Sequence, residues 1–238
     1  MAQSSFKEFK NQLWTCIQSC PIVYINHFHD QYVDEALIEL LKNNDMPEET
    51  IVEYDYGKDA IVSFDTKSID SEMKSYKGLK DFISKIVDGK IKSEQSDEGI
   101  PKRLFLFKGL GCKTLKENEA ILSLLQTFAS KYEVGAYEYD TTIIIVSPER
   151  VETLPLSIRK FVTVLEIGTP VTEEIRELIK TMIGEKNYEN PRQRRAVEDM
   201  VRTLQGLQMY EVKQTLRTVL KLNNNRISDK AVRLALKE

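Results

Sequence analysis

Three short stretches of this chain bring together side chains able to do chemistry. His27 and His29, the two histidines, alternate along one segment and are followed by Asp30. On an extended backbone that spacing puts both imidazoles on one face, where two metal ligands would stand with Asp30 as a third. No further ligand follows at a matching spacing, so the plainer expectation is a polar loop at the edge of a sheet. The second stretch, Lys108-Gly109-Leu110-Gly111-Cys112-Lys113-Thr114, offers glycines followed by Lys-Thr. A phosphate loop needs Gly-x4-Gly-Lys-Thr, and here the glycines stand too close, which predicts a strand-to-helix turn with Thr114 as the cap. In the third, Arg192, Arg194 and Arg195 follow Asn190-Pro191 and open a helix, where positive charge opposes the helix dipole. Such arginines suit an acidic partner, a phosphate or DNA. The broad basic stripe with interleaved aromatics that direct nucleic-acid binding asks for is missing, which makes a nucleic-acid partner the weaker expectation.

Charge is unevenly distributed. From Arg192 to the end there are 11 basic and 5 acidic residues, a balance of +6, against −9 for the rest of a chain whose total is −3. A basic C-terminal segment can dock on an acidic partner or on phosphates, or be a solvated helix surface. Cys16, Cys20 and Cys112 are too few and too scattered for a disulfide framework and fit a reducing compartment. Apolar runs such as 142–147 fall far short of the roughly 20 residues that cross a bilayer. The first ten residues lack the apolar stretch of a secretory signal, so the expected location is cytoplasmic, with no membrane partner.

The elements that must position these residues are legible as periodicities. Phe6, Phe9, Leu13 and Ile17 give a helix over 6–18, ended by Pro21, and Ile22–Ile25 is a continuous apolar run of the kind found in a strand buried on both faces. Helical spacing returns over 31–42, 76–88 and 115–131. Strands are expected at 50–54, 60–64, 103–107, 141–146 and 161–165, and a polar loop at 89–99. Thr172-Glu173-Glu174 opens another helix, and from Asn190 onward only helical spacing remains. Strand and helix alternate, so the expected fold class is α/β: a three-layer sandwich with a largely parallel sheet over 1–189, followed by a small all-helical lid-like domain over 190–238.

This order resembles an AAA+ module, with its nucleotide-binding core and lid. Thr142-Ile-Ile-Ile-Val-Ser-Pro148, Leu154-Pro155 and Val164-Leu-Glu-Ile-Gly-Thr-Pro170 look like the sensor-1 strand and the run from the last core strand into the lid. Leu204-Gln-Gly-Leu207 before Glu211-Val212-Lys213 looks like the Gly-Leu turn of the last lid helices. The chain resembles in particular the degenerate N-terminal module of two-part AAA-type ATPases from bacteria and algal plastids, in which the second module carries the ATPase.

The resemblance also marks departures. Its glycine-rich phosphate loop corresponds to Asn26-His27-Phe28-His29-Asp30, which holds neither glycine nor lysine and adds a negative charge. Its acidic strand end corresponds to Lys108-Gly109, and a lysine cannot ligate Mg²⁺. The expectation is a non-hydrolysing regulatory or assembly module that needs no cofactor, one that could hold ATP and Mg²⁺ only in an altered mode. Its partners would be AAA+ domains of the same or a related chain. The resemblance puts Arg159 where a partner's nucleotide could be touched, although an ordinary surface arginine is the plainer reading. A clamp-loader-type subunit that binds a polymerase ring or DNA, and an ATP-binding domain with an atypical phosphate loop, are the alternatives.

Overall fold

The computed structural model describes residues 6–27, 30–47, 50–64, 78–89, 102–136, 140–224 and 226–236. They fall into two compact units, one over Lys10–Glu166 and one formed by the residues from Ile167 onward with the described residues before Lys10.

The first unit is built on a six-stranded sheet of order β3-β2-β4-β5-β1-β6. The strands are β1 (Ile22–Asn26), β2 (Ile51–Asp55), β3 (Ala60–Val62), β4 (Lys102–Lys108), β5 (Asp140–Ser147) and β6 (Val162–Glu166). All neighbours pair in parallel except the short hairpin partner β3, which runs antiparallel to β2. Central strands buried on both faces need no polar alternation, which is why Ile22–Ile25 and Ile143–Val146 read as continuous apolar runs.

One face of the sheet packs Ile22, Tyr24, Tyr54, Phe105, Phe107, Ile143 and Ile145 against α3 (Leu79–Val87), α4 (Cys112–Glu117), α5 (Glu119–Glu133) and Ile158 of the short α6 (Leu156–Arg159). Tyr54 stacks on Phe82 there and both rings meet Phe107 at a tilt, with ring centroids 5.5–6.0 Å apart. On the opposite face, Thr142 Oγ1 donates to the Ile17 carbonyl of α1 (Phe6–Ser19) at 3.0 Å, and Lys108 reaches α2 (Asp30–Asn43). The helix expected over 115–131 is two helices. Asn118 interrupts it, because its side-chain oxygen accepts the Ile121 N–H at 3.2 Å and starts α5 afresh. The loop expected at 89–99 lies outside the described residues beyond Gly89.

The second unit is helical: α7 (Thr172–Ile183), α8 (Glu185–Tyr188), α9 (Pro191–Leu204), α10 (Met209–Leu222) and α11 (Asp229–Ala235). Ile175, Ile179 and Ile183 of α7 share one core with Met200 and Leu204 of α9, Leu216 of α10 and Ala231 of α11. The expected division at residue 190 therefore falls inside this unit, between helices that bury one another. Thr172 is the first helical residue of α7 rather than its cap. Val171 holds the cap position, and the Glu174 carboxylate accepts the N–H groups of Val171 at 3.0 Å and Lys7 at 2.9 Å. Gly206 turns the chain between α9 and α10 with φ +87, a conformation that side-chain-bearing residues avoid.

Candidate functional site

Open parallel sheets bind ligands outside the carboxyl ends of their strands, where successive crossovers leave in opposite directions. In this sheet that place is around β1, because its crossover leads through α2 toward β2 while the connection from β5 passes over β1 to β6. Asn26, Lys108 and Ser147 end β1, β4 and β5, and His27, Gly109 and Pro148-Glu149 follow them, so these positions share one edge.

Hydrogen bonds tie the three ends together. The His27 N–H donates to the Ser147 carbonyl at 3.1 Å, and the Gly109 N–H to that of Val146 at 3.1 Å. Gly109 does so with φ +75, which glycine alone adopts freely. The Asn26 amide and the Tyr24 hydroxyl both donate to the Glu149 carbonyl, at 2.5 and 2.8 Å. The buried Cys112 thiol in turn donates to the Tyr24 oxygen at 3.1 Å. Burial and then this thiol push the Tyr24 hydroxyl well above the ordinary phenol range, so it acts as a neutral donor.

The segment 108–114 is a strand-to-helix turn, but Thr114 does not cap it. Gly111 holds the cap position of α4, and the Glu149 carboxylate, 36 residues away, accepts the Lys113 N–H at 2.7 Å. That carboxylate lies so close to Gly111 that an added Cβ would meet it at 2.5–2.9 Å. An internal carboxylate thus takes up one N–H of the first turn of α4.

Lys108 is the least expected feature of this edge. Its ammonium is 2.7 Å from both Asp34 carboxylate oxygens and 3.1 Å from Glu53 Oε1. The three side chains are only 10%, 14% and 2% exposed. Burial by itself would lower the lysine pKa, but Asp34 and then Glu53 more than offset it and the net shift is upward, so the lysine stays charged. Carboxylates therefore do stand beside the end of β4, although α2 and β2 supply them and an ammonium fills the space between. Sequence reading missed both. The signals were a charge inside the strand Ile51-Val-Glu-Tyr-Asp55 and an aspartate beside the apolar stripe of α2.

Phe28 and His29 lie outside the described residues, as does the side chain of Asp30, which is the first residue of α2. His27 is 6% exposed and its ring meets Tyr32 edge-on, at 6.0 Å between centroids. Among the described residues no group of three or more His, Cys, Asp or Glu is arranged to hold a metal. Arg159 is exposed at the end of α6, and Arg194 and Arg195 are exposed on α9 of the helical unit. The side chain of Arg192 is outside the described set. Among the described residues no helix is long and apolar enough to cross a membrane.

No protein-family model and no curated protein sequence matches the chain, but solved structures do. A variant of Thermotoga maritima RuvB aligns over 97% of this chain and 67% of its own, with a TM-score of 0.54 and 12% identity. A chain of the E. coli MS115-1 HORMA:CdnC:Trip13 complex aligns over 95% and 75%, with a TM-score of 0.55 and 14% identity. Trip13 from Rhizobiales aligns over 95% and 77%, with a TM-score of 0.55 and 13% identity. At such identities the likeness carries the fold alone, and that fold is AAA+-like: a mostly parallel six-stranded sheet between helices, followed by a helical C-terminal region.

Proposed function

We propose that the chain is a regulatory or assembly module of an AAA-type ATPase that does not itself hydrolyse ATP and packs against active AAA+ domains. The observation that carries this reading is the Lys108–Asp34–Glu53 ion cluster. Phosphoryl transfer is catalysed almost entirely by positioning and by neutralising charge on the phosphates, with a carboxylate-held Mg²⁺ and basic groups around them. Here the nearest carboxylates at the end of β4 face an ammonium instead. β1 ends in Asn26, whose amide is spent on the Glu149 carbonyl. ATP–Mg²⁺, which the fold would suggest, does not fit this set of residues, and no chemical step is assigned to it.

The fold supports association with like domains, and the +6 balance from Arg192 onward supports an acidic partner surface. The test pairs two measurements on the purified chain. With saturating ATP and Mg²⁺ the expected phosphate release equals that of a protein-free control, and sedimentation with an active AAA+ domain shows a complex. Mg²⁺-dependent turnover that survives repurification overturns the reading.

A further inference from the structure

We propose that Lys108 is a built-in counter-ion that fastens α2 to the sheet in one arrangement whatever nucleotide or divalent cation is present, so that this edge of the core does not switch. The inference rests on the reading of a non-hydrolysing module and adds that the module does not sense nucleotide either. In a ligand-driven site the positive charge arrives with a cation and leaves with it, and the elements around it follow. Here the charge is tethered.

The tether is short and rigid at its root. Lys108 lies opposite Asp55 of β2 on one side and Val146 of β5 on the other, so its backbone cannot move without opening the sheet. Its ammonium then joins three separate elements. Asp34 lies on the second turn of α2, Glu53 on β2, and Lys108 itself on β4. Both Asp34 oxygens lie 2.7 Å from the ammonium, and 14% exposure of that side chain leaves water little room to compete. A buried ion pair of this kind contributes more to holding one arrangement than to net stability, since desolvating the charges offsets much of their attraction.

The experiment uses the full chain and follows amide hydrogen exchange with thermal unfolding, with and without ATP, ADP and Mg²⁺. In the wild type, protection of residues 30–43 and the Tm are expected to be unchanged by any of these. In Lys108→Met, exchange across α2 should rise at least about tenfold, equivalent to about 1.4 kcal/mol of opening free energy, while α5 on the opposite face changes far less. Replacing the whole cluster by apolar residues (Asp34→Leu, Glu53→Leu, Lys108→Met) should recover most of the lost protection, because the buried charges are removed together. If Lys108→Met does not fold, Lys108→Arg and the triple variant still decide the matter, the former keeping α2 protected and the latter restoring it. Wild-type α2 that gains protection with Mg²⁺–nucleotide, or a Lys108→Met chain with wild-type exchange on α2, overturns the proposal. Nucleotide-dependent protection without turnover would sink the tether alone, whereas turnover would sink the functional reading as well.

Discussion

The end of β1 and the end of β4 lie on the same edge of the sheet, and under the proposed reading each departs from a nucleotide site in its own way. At β1 the departure is a subtraction. Glycine and lysine are missing, and what remains makes ordinary bonds, the Asn26 amide to the Glu149 carbonyl and the His27 N–H to the Ser147 carbonyl. At β4 it is a replacement with compensation, an ammonium held by carboxylates from two other elements. A subtraction leaves little energetic trace and is visible only in binding. A compensated replacement couples three elements, so it is visible in stability.

The largest expected effect follows from that contrast. Lys108→Met removes one partner of a buried cluster and leaves Asp34 and Glu53 close together without their shared cation, which should cost about 3–5 kcal/mol. Asn26→Ala removes one hydrogen bond whose acceptor, the Glu149 carbonyl, keeps the Tyr24 hydroxyl, and should cost about 1 kcal/mol. Urea unfolding of both variants measures the difference. Equal costs would mean that the two ends of the edge do not differ in the manner described.

Alkaline pH sharpens the same comparison. The Lys108 pKa is raised, burial opposing the shift and Asp34 and Glu53 more than reversing it. The Tyr24 and Tyr54 hydroxyls are also raised, by burial first and then by Cys112 and Asp59 respectively. A group whose folded pKa lies above its unfolded one contributes stability that is complete below the unfolded value and is lost as pH climbs toward the folded one. For these three the loss begins above about pH 10. Burial and then the Cys20 thiol push Cys16 up to about 11 from 9.0, so its share is lost earlier, between those two values. Stability should therefore fall from about pH 9 upward, in two stages. Cys16→Ser should flatten the first, and Lys108→Met and Tyr24→Phe should each reduce the second. A Cys16→Ser profile that falls as steeply as wild type between pH 9 and 10 contradicts the assignment of the first stage to Cys16.

Much of the fold was legible because its central strands are apolar without alternation and its helices carry regular stripes. Ile22–Ile25, 103–107 and 141–146 could hardly be anything but strands in the middle of a parallel sheet. What escaped was long-range or local to a cap. The break at Asn118 leaves the stripe of 115–131 unbroken, so periodicity runs straight through it. The carboxylate that serves α4 comes from Glu149, a residue that spacing around Thr114 could not reveal. Asp34, Glu53 and Lys108 lie 19 to 74 positions apart and meet only when α2, β2 and β4 are assembled. That α7 belongs with the C-terminal helices was equally hidden, since its stripe of Ile175, Ile179 and Ile183 would suit either unit.

The smallest expected effect on stability is at the arginines of α9, and there the informative readout is association. Pro191 is the first residue of that helix and no acidic residue stands in its first turn, so Arg192, Arg194 and Arg195 place positive charge against the positive end of the helix dipole. Arg195 is 94% exposed and only 4.0 Å from Asp199, an ion pair that water screens heavily. Folding therefore gains little from the charge of Arg195. Changing all three to glutamate should alter unfolding free energy by no more than about 0.5–1 kcal/mol, and toward greater stability, because acidic residues suit a helix N-terminus. A basic helix start that its own dipole disfavours is well matched to an acidic partner, and exposed charges beyond about 8 Å are screened at physiological ionic strength. Sedimentation with an active AAA+ domain at low and high salt should then show a salt-sensitive complex for the wild type and a weakened one for the reversed chain. If the reversed chain unfolds more easily, or the complex forms equally well and ignores salt, the basic start of α9 is solvated surface and the partner contact lies elsewhere.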